Sequence, residues 1–124
     1  EGDDLARAYA ALDVFVHTGT SETFGQTIQE ASATGLPVVA PARGGPLDLV
    51  AHGRTGLLFD PDDPTALREA VVDLTIADDA WERRAVLGEA AAAAMASRSW
   101  ASLTAELLGH YEAVARRASH VLPR

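Results

Sequence analysis

The order of apolar and polar positions along the chain predicts short strands alternating with helices. Three short apolar runs predict strands at residues 14–17, 37–40 and 57–59. The second run has no polar interruption, which is typical of a strand that is buried on both faces. Elsewhere the apolar positions recur at helical spacing. They predict helices over residues 4–12, 24–34, 63–74, 79–96 and 99–117, and a helical turn over residues 46–50.

The predicted helix over residues 24–34 carries both a start and a stop signal. Thr23 is the expected N-cap, and Gln26, three residues later, completes a capping box. Gly35 stands at the C-terminal stop, and Pro37 cannot continue a helix. The helix is therefore expected to follow the first strand after a short turn.

This alternation predicts an α/β fold with a parallel sheet and right-handed crossovers, as in a Rossmann-like layer. A central parallel strand needs neighbours on both sides and helices on both faces, and three strands supply only part of that. The chain also begins in a predicted helix and without an initiator Met. We therefore expect a partial Rossmann-like domain of three parallel strands with helices, whose upstream half lies outside this sequence.

The composition excludes several classes of function. A length of 124 residues suits one domain with a core. The net charge of -8 disfavours nucleic acid or anionic lipid as a partner. The absence of cysteine excludes disulfides and thiolate metal sites. No signal-peptide pattern or membrane-span-length apolar stretch is present, which predicts a cytoplasmic protein.

Residues 18–30 lie where the first strand ends and a helix begins, which is where open α/β sheets bind ligands. The backbone amides of the first helical turn, at Phe24, Gly25, Gln26 and Thr27, are expected to be free. Together with the helix dipole they predict an anion site that suits a phosphate. Gly25 has no Cβ, so a ligand oxygen can approach the backbone closely there.

Two carboxylates flank this predicted anion site. Glu22 lies at the helix mouth, within reach of hydroxyls on a group attached to the phosphate. Glu30 lies about one turn beyond the phosphate-facing amides, on the face that also carries Gln26 and Thr27. A carboxylate there suits the hydroxyls of a ribose, which donate to an acceptor. This layout outlines a nucleotide-sugar.

The same residues carry a resemblance to a known family. Glu22 and Glu30 form an E-x7-E pair, and residues 21–27 (SETFGQT) closely resemble that motif in retaining GT-B glycosyltransferases of family four, the glycosyl transferases group 1. The agreement continues through GLPVVA, GGP and GRTGLLF and extends from about residue 4 to residue 114. The pairing of HTG with ETFGQ is similar to that of bacterial GDP-mannose-dependent alpha-mannosyltransferases.

The resemblance implies a role for each residue of the site. It implies that Glu22 contacts hydroxyls of the donor sugar and orients it for transfer. The amides of residues 24–27 would bind sugar oxygens and the distal phosphate, and Glu30 would hold the ribose. It implies that no metal or other cofactor takes part, which fits the lack of a His/Asp ligand cluster in the sequence. The nucleotide-sugar is a substrate, expected to be GDP-mannose. The helix N-terminus and basic side chains would stabilise the leaving diphosphate.

The resemblance also implies what the chain lacks. It implies transfer of a hexose, with retention, to a lipid or glycan acceptor. In this family an Arg/Lys pair that clamps the diphosphate lies upstream, and an N-terminal domain binds the acceptor and can contact the inner membrane face. Residues 1–97 would be the C-terminal half of the GT-B donor-binding domain, and residues 98–124 a C-terminal helix and tail. We expect the 124 residues alone to be inactive.

Some alternatives stay open at this point. UDP-glucose or a related donor is an alternative to GDP-mannose, and a non-catalytic nucleotide-binding or interaction module is an alternative to the enzyme. A dinucleotide dehydrogenase is disfavoured because no G-x-G-x-x-G follows a strand. His17 is expected to be a core or strand-end histidine rather than a catalytic one, and Gly44-Gly45 either a tight turn or a point of ligand approach. The aromatic residues at helical spacing are expected to pack in the core: Trp81, Trp100 and Tyr111.

Overall fold

The computed structural model describes residues 2–22, 24–98 and 100–121. It contains three strands and six helices within those ranges. The strands are β1 (Phe15–Val16), β2 (Val38–Pro41) and β3 (Gly56–Phe59). The helices are α1 (Gly2–Ala10), α2 (Gln26–Ala33), α3 (Pro46–Leu49), α4 (Ala66–Thr75), α5 (Ala80–Ala96) and α6 (Trp100–Val121).

The three strands form one parallel sheet in the order β1-β2-β3. Phe15 lies opposite Val38, and Val38 lies opposite Gly56. Each strand begins and ends within one residue of its predicted bounds. The predicted α/β class, with three parallel strands and helices, is confirmed.

The central strand β2 is buried along its whole length and separates two apolar clusters. Val38 and Ala40 belong to the cluster beneath α1 and α2, which also contains Tyr9, Ile28, Ala31, Leu36 and Val50. Val39 belongs to the cluster beneath α4 and α5, which also contains Leu57, Phe59, Leu74 and Leu87. Successive strand side chains point to opposite faces, so this alternation confirms a strand buried on both sides.

The start of α2 differs from the prediction. The helix begins at Gln26, and its N-cap is Gly25, which has a φ of +60° and no side-chain cap. The prediction that Phe24 opens the helix is therefore wrong, as is the N-cap assigned to Thr23, a residue that lies outside the described ranges. A Cβ on Gly25 would overlap Cδ1 of Leu49. Glycine in the left-handed conformation fits that space, and it cannot continue a right-handed helix backwards.

The predicted packing of the aromatic residues is also wrong for Trp81 and Tyr111. Trp81 is 73% exposed and Tyr111 is 63% exposed. The side chain of Trp100 lies outside the described part of the chain. The apolar stripe of α6 is exposed as well, at Leu107 and Val114 among others. In the described ranges no other element covers these faces, so helical spacing alone did not indicate burial.

Helix α4 begins three residues later than predicted, at Ala66 instead of Asp63. Oδ1 of Asp63 accepts hydrogen bonds from the backbone N–H and the hydroxyl of Thr65, both at 2.8 Å. These bonds form a turn before the helix. The hydrogen bond from the Thr65 N–H, and to a smaller extent that from its hydroxyl, lowers the pKa of Asp63.

Within the described ranges, every helix is too short or too polar to cross a bilayer.

Replacing Asp63 with asparagine is expected to lower the free energy of unfolding at pH 7 and to have little effect at strongly acidic pH. Because folding lowers the pKa of Asp63, its stabilising contribution is present above the unfolded pKa of about 3.9. That contribution is lost as the pH falls through the folded value. Urea denaturation at several pH values measures the difference, with Asp78→Asn, at an exposed position between α4 and α5, as the matched control. Equal losses in both variants at every pH would contradict the assignment.

Candidate functional site

The candidate site lies at the edge of the sheet where β1 and β2 end. The loop that follows β1 meets the loop that follows β2, and the two backbones come very close. A Cβ on Gly44 would lie 2.8 Å from the backbone oxygen of Thr20, and a Cβ on Gly45 would lie 2.7 Å from that of Glu22. This glycine pair therefore allows close packing of the chain's own loops, which hold Glu22 beside the start of α2.

The carboxylate of Glu22 folds back onto the backbone that precedes α2. Its Oε1 accepts hydrogen bonds from the N–H groups of Phe24, at 3.2 Å, and Gly25, at 3.0 Å. Two of the four amides expected to be free therefore donate to Glu22, and they precede the helix rather than open it. These bonds fix the orientation of the Glu22 side chain, which is 29% exposed.

The next two amides form the open end of the helix. The N–H groups of Gln26 and Thr27 have no acceptor among the described residues. Their position in the first turn of α2 explains this, because those donors have no partner within the helix. The positive end of the helix dipole adds to their field. The side chain of Gln29 donates to the Phe24 carbonyl at 2.9 Å and ties the preceding loop to the helix.

His17 lies immediately after β1 and beside Glu22, which is closer to the site than a strand-end role suggests. Its side chain is 15% exposed, and its Nε2 lies 4.0 Å from Oε2 of Glu22. That nitrogen is buried and has no hydrogen-bond partner among the described residues. A Cβ on Gly19 would lie 3.1 Å from the same nitrogen, so the loop passes over the imidazole. Its place at the carboxyl end of a parallel strand was the sequence signal.

Glu30 lies in the middle of α2 and faces α1. Its Oε2 accepts a hydrogen bond from the hydroxyl of Tyr9 at 3.1 Å. Burial raises the pKa of Tyr9, and the hydrogen bond to Glu30 raises it further, so the phenol stays protonated and donates at neutral pH. Glu30 borders a pocket of about 320 Å³ between the two helices, which is lined also by Gly2, Leu5, Ala6, Tyr9, Ala33 and Thr34. Tyr9 was not predicted from the sequence as part of the site, because it lies 21 positions from Glu30 in the chain.

The predicted site residues thus lie in sequence along α2: Glu22 at the mouth, the amides of residues 24–27 at the N-terminus, and Glu30 about one turn further on. A pocket of about 440 Å³ adjoins Phe24, and Arg98 contributes to its wall. Arg43 instead pairs with Asp62, which raises the pKa of the guanidinium. In the described ranges, no group of three or more His, Cys, Asp or Glu side chains is placed to hold a metal ion.

Comparison with known proteins decides the family. Residues 1–94 match the family model described as glycosyl transferases group 1. The chain belongs to this family. The match covers α1 through most of α5, including both glutamates and the amides between them. It confirms the family predicted from the E-x7-E motif and the blocks that follow it.

Curated members of the glycosyl transferases group 1 family show high identity to this chain. The GDP-mannose-dependent alpha-mannosyltransferase of Mycolicibacterium smegmatis is 52% identical over 118 residues, which cover 95% of this chain and 30% of that protein. The protein of the same name from Mycobacterium tuberculosis is 48% identical over 120 residues, which cover 94% of this chain and 29% of that protein. The chain therefore spans about 30% of the length of these relatives.

Solved structures of glycosyltransferases share the fold. Anabaena HepE, crystallised in complex with UDP and glucose, has a TM-score of 0.72 and is 30% identical, over 86% of this chain and 29% of its own. Sucrose-phosphate synthase from Thermosynechococcus elongatus has a TM-score of 0.76 and is 31% identical, over 94% of this chain and 29% of its own. These matches confirm the GT-B assignment of the partial Rossmann-like domain.

Proposed function

We propose that this chain binds the donor substrate in a mannosyltransferase that uses GDP-mannose. The observation that carries the proposal is the arrangement at α2, where two amides with no acceptor among the described residues lie between two glutamates. Glu22 suits a sugar, the amides of Gln26 and Thr27 suit a diphosphate, and Glu30 suits a ribose. The 52% identity to a protein named GDP-mannose-dependent alpha-mannosyltransferase supports GDP-mannose over other donors.

The diphosphate would lie against the N-terminus of α2. The N–H groups of Gln26 and Thr27 donate to its oxygens, and the helix dipole favours its negative charge. Charge on the leaving diphosphate increases as the bond to the sugar breaks. Donors fixed in advance at that position stabilise the transition state more than the ground state, which lowers the barrier to transfer. The amides of Phe24 and Gly25 contribute by holding Glu22 in place. If GDP-mannose displaces their hydrogen bonds to Glu22, they donate to it directly.

Glu22 and Glu30 would bind the two ends of the donor. The carboxylate of Glu22 accepts hydrogen bonds from hydroxyls of the mannose and orients the sugar for transfer. Its tether to the Phe24 and Gly25 amides limits the rotamers that it can adopt. Glu30 accepts hydrogen bonds from the ribose hydroxyls, about one turn along the helix from the phosphate.

The remaining parts of the proposal concern the whole protein. Transfer would proceed with retention, as the family resemblance implies, and the acceptor would be a lipid or glycan bound outside these 124 residues. The donor is a substrate, and no metal or cofactor is required. The chain alone would be inactive, because it spans only about 30% of the length of its curated relatives. Residues 1–97 would be the C-terminal half of the donor-binding domain, and residues 98–124 a C-terminal helix and tail.

Replacing Glu30 with alanine is expected to weaken binding of GDP-mannose by about tenfold or more, the loss associated with a hydrogen bond to a charged group. Calorimetric titration of the protein, expressed from its complete reading frame, measures this with GDP-mannose, GDP and UDP-glucose. Glu89→Ala, at an exposed position on α5, is the matched control and is expected to bind like the wild type.

Each outcome of this titration distinguishes between the candidate functions. Saturable binding of GDP-mannose and GDP, weakened by Glu30→Ala alone, would support the proposal. Binding of UDP-glucose without GDP-mannose would retain a glycosyltransferase donor site and reject mannose. A folded protein that binds none of the three would reject the donor site and favour a non-catalytic interaction module.

A further inference from the structure

Helices α1 and α2 are joined by a hydrogen bond that reaches the candidate ribose-binding residue. The hydroxyl of Tyr9 donates to Oε2 of Glu30 at 3.1 Å. The bond links residues that are 21 positions apart in the chain. It therefore depends on the packing of two separate helices, unlike a contact within one helix.

The Tyr9 side chain, which donates this hydrogen bond, is held firmly by the core. Tyr9 is only 8% exposed and is the buried residue of α1. Its ring packs at 59° to that of Phe15, with the centroids 5.7 Å apart, and belongs to the cluster that contains Ile28 and Ala31. A ring packed in this way has few rotamers available. The phenol oxygen is thus a fixed point beside α2.

The Glu30 side chain, which accepts the hydrogen bond, has more rotational freedom. Glu30 is half-buried at the wall of the pocket between α1 and α2, and a glutamate has three side-chain torsions. A carboxylate accepts several hydrogen bonds, so the contact with Tyr9 occupies only part of its capacity. Fixing Oε2 with Tyr9 restricts the direction in which Oε1 points.

We propose that Tyr9 is a positioning residue that aims the carboxylate of Glu30 at the ribose hydroxyls of the donor. The inference rests on the function proposed above, because it takes Glu30 as the ribose contact. Without the phenol hydroxyl, Glu30 must be ordered at the moment of binding, and part of its interaction with the ribose is lost as conformational entropy. The aromatic ring itself makes no contribution to this effect beyond packing.

The test compares two nucleotides that differ only at the ribose. GDP and 2′,3′-dideoxy-GDP are titrated into wild-type protein and into Tyr9→Phe, both expressed from the complete reading frame. Phenylalanine keeps the ring and its packing, and circular dichroism checks that the variant is folded. We expect Tyr9→Phe to bind GDP about fivefold more weakly and to bind the dideoxy analogue as the wild type does. Tyr111→Phe, at an exposed tyrosine on α6, is the matched control and should change neither affinity.

The failure of this inference and the failure of the proposed function give different results. Glu30→Gln is titrated with the same two nucleotides. If Glu30→Gln loses the preference for GDP and Tyr9→Phe retains it in full, the positioning role is wrong and the ribose contact stands. If Tyr9→Phe weakens both nucleotides equally, the hydroxyl of Tyr9 supports the site in general, and the positioning role at the ribose is wrong. If Glu30→Gln keeps the full preference, or the wild type binds neither nucleotide, the ribose assignment of Glu30 is rejected together with the inference.

Discussion

Replacing Gly88 with alanine is expected to lower the free energy of unfolding by about 3 kcal/mol, near the upper end of the usual costs of overpacking. A Cβ on Gly88 would overlap the backbone oxygen of Gly35, where α5 crosses the end of α2. Gly35 has a φ of +81°, and the Leu36 N–H, which shares a peptide group with that oxygen, donates to the Ala31 carbonyl at 3.1 Å, so the peptide is held in place. The Cβ is bonded directly to the backbone of α5 and the oxygen is itself a backbone atom, so only separation of α5 from the end of α2 relieves the overlap. Urea denaturation followed by circular dichroism measures the loss.

The chain contains a matched control for this substitution. Gly109 lies in α6, and a Cβ there would meet no atom within 4 Å. Gly109→Ala is expected to raise the free energy of unfolding by about 0.5–1 kcal/mol, because alanine is the better helix former. The same chemical change thus has opposite signs at the two positions. Equal stability of the Gly88→Ala and Gly109→Ala proteins would show that α5 and α2 do not approach as described.

Replacing Gly25 with alanine is expected to lower both the stability and the donor affinity of the protein. The left-handed conformation at φ +60° costs an L-residue about 1–2 kcal/mol. The added Cβ would also overlap Cδ1 of Leu49 and lie 3.8 Å from Cγ of Glu22. Relief of this crowding moves the start of α2, which carries the open amides. We expect GDP-mannose to bind at least about tenfold more weakly, since hydrogen bonds to an anion are lost.

Gly53 provides the control that separates strain from binding. It has a φ of +73°, and a Cβ there would meet no atom within 4 Å. Gly53→Ala should therefore show a similar loss of stability from the backbone alone, with GDP-mannose affinity unchanged. Calorimetric titration of both variants gives the comparison. If Gly25→Ala binds GDP-mannose as tightly as Gly53→Ala does, the start of α2 does not contact the donor.

The sequence was sufficient to predict those elements whose burial follows from the spacing of their apolar residues. The unbroken apolar run of β2 indicated burial on both faces, because such a run has no side that can face water. The spacing of Glu22 and Glu30 likewise placed both on one helix and its mouth. These features are local, so the order of residues contains the information.

Other features depend on contacts between distant parts of the chain. The start of α2 was misplaced because Leu49 fills the space beside Gly25, and nothing near Thr23 in the sequence indicates that neighbour. The bond from Tyr9 to Glu30 depends on how α1 lies against α2. Trp81 is exposed although its spacing is helical, since spacing shows which residues share a face and does not show what covers that face.

The division of the core by β2 has a consequence for engineering. Val39 and its neighbours lie on the opposite side of the sheet from Tyr9, Ile28 and helix α2, which carries Glu30. Substitutions at sites without shared partners add their effects almost independently. Conservative repacking around Leu74 that leaves the contact between Gly88 of α5 and Gly35 unchanged can therefore tune thermal tolerance while α2 keeps its geometry. Directed evolution can thus accumulate stabilising changes first on the face of the sheet that contains Val39 and Leu74. Changes to donor specificity, on the face that packs against α2, would follow.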